Sequence, residues 1–89
     1  MTQDEINDYF KEMGIEDAII FETPSYCSAF IGISNDGRAV YDFEEMIRYL
    51  MDGNGMSYEE AVEFIDYNTI RAIPYFGAKA PIVLYPIQE

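Results

Sequence analysis

Asn35-Asp-Gly-Arg-Ala-Val-Tyr-Asp-Phe-Glu-Glu45 decides the fold, because a turn, a strand and a helix start follow one another within it. Its Asp-Gly pair, placed between apolar runs, is a strong signal for a β-hairpin turn. Residues 38–41 are predicted to be the returning strand, and residues 26–34 the strand before the turn. Asp42 begins a capping box that is completed by Glu45, so a helix is predicted to start there.

Capping boxes predict three helices in all. Each begins with Thr, Asp or Ser and has Glu three residues later: Thr2 with Glu5, Asp42 with Glu45, and Ser57 with Glu60. Gly14 is predicted to close the first helix in the left-handed conformation. Residues 52–55 (Asp-Gly-Asn-Gly) are expected to break the second helix, and Pro74 is expected to end the third at the latest.

Two more strands are predicted outside the hairpin. Residues 17–23 are a short strand stopped by Pro24, and residues 81–87 have a proline near each end, which is typical of an edge strand. The predicted order is therefore α-β-β-β-α-α-β in a single domain, 1–89. A small, mostly antiparallel sheet of about four strands with helices on one face fits this order best, so the predicted class is α+β.

Charge is the strongest compositional signal, with 17 acidic residues, 5 basic residues and a net charge of −12. Such a chain is repelled by phosphate backbones and anionic membrane surfaces, so no direct nucleic-acid or membrane binding is expected. The apolar runs are too short to cross a bilayer, and the first residues carry acids where a signal peptide carries bases. Cys27 is the only cysteine, which excludes an internal disulfide and fits a reducing, cytoplasmic location.

Four acids form a stripe along the third helix: Glu59, Glu60, Glu63 and Asp66. Exposed like charges at this spacing usually form a solvated face, and the alternative is a surface that meets the Lys and Arg of a partner protein. Phe64 and Tyr67 lie off the face formed by Val62, Ile65 and Thr69. A second apolar side means either that the helix lies between two layers or that it binds a partner, which includes a homodimer.

Residues 67–77 are the most distinctive local string, with polar groups among aromatic ones. Asn68, Arg71 and Tyr75 are candidates for a small-ligand pocket, in which the Arg71 fork would meet a carboxylate or phosphate. The structural alternative pairs Arg71 with an acid such as Asp66 or Asp42 and uses Asn68 to bind backbone.

Metal and catalytic chemistry have little support in the sequence. Asp52, Asn54 and Glu63 match three slots of a calcium-binding EF-hand loop, but Met56 and Ser57 fail two others. The sequence contains no histidine, so an ordinary nucleophile–base pair is missing. No catalytic residue, metal site or cofactor is predicted, and enzymatic activity is the least favoured reading.

Three stretches, at residues 35–42, 60–77 and 80–85, together resemble small uncharacterised proteins that are associated with bacterial phages and mobile elements. The resemblance covers about two thirds of the chain and implies a small accessory protein in a bacterial cytoplasm. It implies no catalytic residues.

Two function classes remain open from the sequence. The first is a non-enzymatic accessory or regulatory protein that binds another protein; its sharper form is an acidic, phage-type inhibitor of a basic nucleic-acid-binding protein. The second is a small-ligand-binding domain with a pocket near Arg71.

Overall fold

The structure, a computed structural model, describes residues 1–87 of the chain, and the predicted hairpin forms two of the three strands of its sheet. Strand β1 (Phe30–Ile33) pairs antiparallel with β2 (Ala39–Asp42). The Ser34 amide donates to the carbonyl of Arg38 over 2.8 Å and closes the turn. Gly37 takes the left-handed conformation, with φ of 82°, that the Asp-Gly signal predicts. The hairpin is confirmed.

The three predicted helices are present as α1 (Gln3–Glu12), α2 (Phe43–Asn54) and α3 (Tyr58–Phe64). The capping boxes at Thr2 and Ser57 have both of their hydrogen bonds, whereas the Asp42 carboxylate only accepts from the Glu45 amide. Gly55, with φ of 67°, ends α2 two residues before the cap of α3. A joint between these helices is therefore confirmed, but the break predicted over residues 52–55 begins later, because residues 52–54 still belong to α2.

The third helix changes its geometry instead of stopping before Pro74. After α3 the chain forms one π-helical turn (Ile65–Thr69) and then a 3-10 helix (Ile70–Phe76) that contains Pro74. The α-helix itself ends at Phe64, before the latest end predicted at Pro74, whereas the 3-10 segment continues two residues past Pro74. The fixed φ of proline near −65° suits a 3-10 helix.

No strand forms at residues 17–23, so the prediction of a strand there is wrong. The Phe21 amide donates to the Tyr41 hydroxyl over 3.3 Å, and the Phe21 carbonyl accepts from Gln3 Nε2 over 2.7 Å. These side chains satisfy the backbone groups that a ladder would have used. The strand predicted at residues 26–34 is also shorter, because Cys27–Ala29 form a 3-10 turn before β1.

The sheet is mixed and has three strands among the described residues, in the order β1-β2-β3. Strand β3 (Ile82–Leu84) pairs parallel to β2, with Val40 opposite Ile82. The prediction of a mostly antiparallel, four-stranded sheet is therefore wrong, while the α+β class and the edge position of β3 are confirmed. The four helical elements between β2 and β3 (α2, α3, the π turn and the 3-10 helix) give the chain the crossover that parallel strands need.

The core lies where the helices meet the sheet. Its fully buried members come from the three α-helices, the π turn, β2 and the segment before β1: Ile6, Tyr26, Ala29, Ala39, Tyr41, Met46, Ile47, Leu50, Ala61 and Ile65. Burial of one such large aliphatic side chain stabilises the fold by roughly 1.5–3 kcal/mol. This core holds α2 and α3 in place and so positions the surface of α3.

Candidate functional site

The four acids of the predicted stripe all face solvent on α3 and the π turn. We call Glu59, Glu60, Glu63, Asp66 and Tyr67 the acidic surface. The opposite side of the same helix carries Ala61 and Ile65, which are both 0% exposed. This two-sided pattern confirms the core face that the sequence predicts.

No salt bridge within residues 1–87 involves the acids of this surface. The five basic residues of the chain are placed elsewhere or used otherwise. Arg38 Nε donates to the Ala80 carbonyl over 2.7 Å, and Lys79 Nζ donates to the Asp36 carbonyl over 2.6 Å. Arg48 pairs with Glu45 at 3.4 Å, and Lys11 lies in the last turn of α1. Arg71 is the remaining one, and its guanidinium lies 4.1 Å from the centre of the Tyr67 ring.

The helix cap favours the ionised form of the Glu60 carboxyl. The Ser57 amide donates to the Glu60 carboxylate over 3.0 Å and holds the pKa of that carboxyl below its ordinary value. Glu60 is therefore ionised at neutral pH. The positive end of the α3 helix lies beside it and favours the same charge.

The second apolar side of the helix is only partly open. Phe64 is half-buried and packs against the core, whereas Tyr67 is 66% exposed. These two residues, together with Met56, Glu60 and Glu63, line a shallow groove of about 350 Å³. The structure thus brings four of the six predicted partner-binding residues into one groove, with Glu59 and Asp66 outside its lining.

The three residues of the ligand-binding alternative do not converge. Arg71 lies over Tyr67 as described above, and Tyr75 is 90% exposed. Asn68 Nδ2 donates to the Phe64 carbonyl over 3.2 Å, within the helix. The phosphate or carboxylate pocket predicted near Arg71 is therefore not assembled by these side chains.

Asn68 instead lines a different cleft, of about 440 Å³, between residues 19–24 and the π and 3-10 segments. Sequence reasoning missed this cleft, because it predicts a strand at residues 17–23 instead of the loop that forms one wall of the cleft. The residues that line it are Ile19, Ile20, Phe21, Glu22, Thr23, Pro24, Tyr26, Asn68, Thr69, Ala72 and Phe76.

The segment compared with a calcium loop is a helix joint. Asp52 and Asn54 lie in the last turn of α2, and Glu63 lies near the end of α3. Residues 1–87 contain no group of three or more Asp, Glu, Cys or His side chains arranged to hold a metal ion. In the same part of the chain, no helix has the length and apolar character needed to cross a bilayer.

Comparisons with protein-family models, with curated proteins and with solved structures found no match to this chain.

Proposed function

We propose that this chain is a small, non-enzymatic accessory protein that binds a protein with a basic surface through the acidic surface. The observation that supports this proposal is a group of four exposed carboxylates with no cation paired to them within residues 1–87. Like charges at helical spacing destabilise a helix by a few tenths of a kcal/mol per pair, roughly. Lys and Arg of a partner would turn this repulsion into attraction.

Tyr67 gives the acidic surface an apolar contact at its edge. Tyrosine and arginine are enriched among the residues that dominate binding energy at interfaces. Arg71 lies on one face of the Tyr67 ring, so the two side chains limit each other's motion. A partner would therefore contact the partly ordered Tyr67 ring beside the four carboxylates.

The spacing of the acids favours the sharper form of this function, an inhibitor of a basic nucleic-acid-binding protein. Glu59 and Asp66 are separated by about 10 Å along a helix that rises 1.5 Å per residue. The four carboxylates in that length give about one charge per 3 Å, close to one strand of DNA at 3.4 Å per phosphate. A partner's groove that binds a phosphate backbone would therefore find a similar charge per unit length along α3 and the π turn. A phage origin would suit such an inhibitor and belongs to the same proposal.

Capture with matched variants tests this function. The α3 variant carries Glu59→Gln, Glu60→Gln, Glu63→Gln and Asp66→Asn. The α1 variant carries Asp4→Asn, Asp8→Asn, Glu12→Gln and Glu16→Gln, four exposed positions whose neutralisation removes the same charge. Gln at position 60 retains a side chain that can complete the capping box. Each tagged protein is incubated with nuclease-treated bacterial lysate, and retained proteins are identified and challenged with duplex DNA.

We expect a basic protein that wild type and the α1 variant retain, that the α3 variant does not retain, and that duplex DNA displaces. Equal losses with both variants would show a general effect of charge and would contradict a site on α3. Retention of no basic protein by wild type at low salt would also contradict the proposal.

A homodimer through the same helix is the competing use of this surface. It would bring the four carboxylates of each copy together, so it would weaken at low salt, where repulsion is least screened. Binding to a basic partner strengthens at low salt. Sedimentation of the chain alone at two salt concentrations distinguishes the two cases.

A further inference from the structure

The cleft beside the π turn shares no lining residue with the groove at the acidic surface. Its volume of about 440 Å³ lies within the range of roughly 300–1,000 Å³ that is typical of small-molecule sites. Most of its wall is apolar, and Ala72 and Phe76 form the helical side. Phe76 is 39% exposed, so its ring is available at this wall.

The polar side chains that line the cleft are Glu22, Thr23, Asn68, Thr69 and the hydroxyl end of Tyr26. Glu22 is exposed and is the one charged residue in the lining among residues 1–87. The Asn68 amino group donates one hydrogen to the Phe64 carbonyl, which leaves its second hydrogen and Oδ1 for a ligand. The hydroxyls of Tyr26 and Thr69 are bonded to each other at 2.9 Å.

We propose that this cleft binds a small organic cation, a protonated amine attached to an aromatic or aliphatic body. The ammonium group would donate to the Glu22 carboxylate and to Asn68 Oδ1, while the body packs against Ala72 and Phe76. A net charge of −12 draws cations towards the protein. Within the described part of the chain, no Lys or Arg lines the cleft to meet a phosphate or carboxylate ligand.

The same chemistry has two sources, a free amine and a lysine side chain of another protein. Two probes separate them: 2-phenylethylamine, and lysine blocked by acetylation and amidation. Binding is followed by NMR through the side-chain amide of Asn68, the backbone amide of Thr69 and the methyl group of Ala72. For a ligand of this size we expect a dissociation constant on the order of 1 mM.

A neutral analogue of the same shape tests the charge. 2-Phenylethanol is expected to shift the same resonances at least tenfold more weakly than 2-phenylethylamine. If the blocked lysine binds more tightly than the free amine, the site takes a protein side chain; the reverse order assigns it to a free amine. Equal binding of the amine and the alcohol would overturn the proposal, and so would unshifted resonances at about ten times the expected dissociation constant.

Two variants and one control test whether the probe binds in this cleft. Ala72→Leu fills the cleft and is expected to abolish the shifts. Glu22→Gln, at an exposed position where folding is not at risk, is expected to weaken amine binding about two- to fivefold, whereas Glu16→Gln leaves it unchanged. Unchanged binding by the Glu22 variant would overturn the role of the carboxylate. These outcomes are independent of the capture experiment, because neither the probes nor the lining residues involve the acidic surface.

Discussion

The hydroxyls of Tyr26 and Thr69 lie 2.9 Å apart, and this hydrogen bond joins the segment before β1 to the π turn. Both residues are buried, with exposed fractions of 0% and 5%. Tyr26 has a left-handed backbone, with φ of 48°, which costs roughly 1–2 kcal/mol for a residue other than glycine. Burial of its ring and this hydrogen bond offset that cost and hold the two walls of the cleft together.

A double-mutant cycle measures the coupling free energy between the Tyr26 and Thr69 hydroxyls. Tyr26→Phe and Thr69→Val each leave one hydroxyl buried without its partner, so each is expected to lower the free energy of unfolding by about 1–3 kcal/mol. The double variant removes both hydroxyls and is expected to lose less than the sum of the two. Denaturation in urea gives the three values. Tyr75→Phe, at a residue that is 90% exposed, is the control and should leave stability unchanged. Additive losses would show that the two hydroxyls do not interact.

Alkaline pH should weaken the fold through Tyr41. Burial raises the pKa of Tyr41 to about 12, against an ordinary tyrosine pKa of about 10. Between these values the unfolded chain has released its proton and the folded chain has kept it. The unfolded state then binds fewer protons, so stability falls as the pH rises through this window.

Tyr41→Phe checks the assignment of this pH dependence. The variant is expected to be less stable at neutral pH, because the buried Phe21 amide loses its acceptor. Its stability should fall less steeply than that of wild type between pH 10 and 12, about the window set by the two pKa values. Equal slopes in urea titrations of the two proteins would assign the effect to other groups, such as Tyr26, whose pKa burial also raises.

Two glycines at the end of α2 should respond to alanine with opposite signs. Gly55 has φ of 67°, so Gly55→Ala is expected to destabilise the protein by about 1 kcal/mol. Gly53 lies inside α2, and no atom comes within 4 Å of an added Cβ. Gly53→Ala is therefore expected to stabilise by roughly 0.5–1 kcal/mol. Thermal unfolding of both variants tests the pair, and a loss of stability in both would contradict the assigned helix end.

Local chemistry explains the parts of the fold that the sequence predicts. The cap at Ser57, the left-handed Gly37 and the left-handed Gly55 each depend on residues within one turn of chain, which a sequence displays directly. The strand expected at residues 17–23 fails for a distant reason. Phe21 binds Tyr41 and Gln3 through their side chains, and neither contact has a local signature. Parallel pairing of β3 with β2 is equally a property of the folded chain.

The candidate site also has features that the local sequence predicts and features that depend on distant contacts. Exposure of Glu59, Glu63 and Asp66 follows from helical spacing and is visible in the sequence. The partial burial of Phe64 depends on what packs beside it. The cleft cannot be predicted from local pattern at all, because its two walls come from residues 19–24 and from the helical segment that ends at Phe76.

The dissociation constant between this chain and a basic protein recovered by capture tests the central claim most directly. Calorimetry compares wild type, the α3 variant and the α1 variant at about 0.1 M and about 1 M salt, where the screening length falls from about 10 Å to about 3 Å. Four exposed ion pairs at roughly 0.2–1 kcal/mol each correspond to a weakening of about fourfold to several hundredfold. We predict that loss for the α3 variant at low salt, a much smaller change for the α1 variant, and convergence of all three proteins at high salt. Equal affinities of wild type and the α3 variant at low salt would contradict binding through the acidic surface.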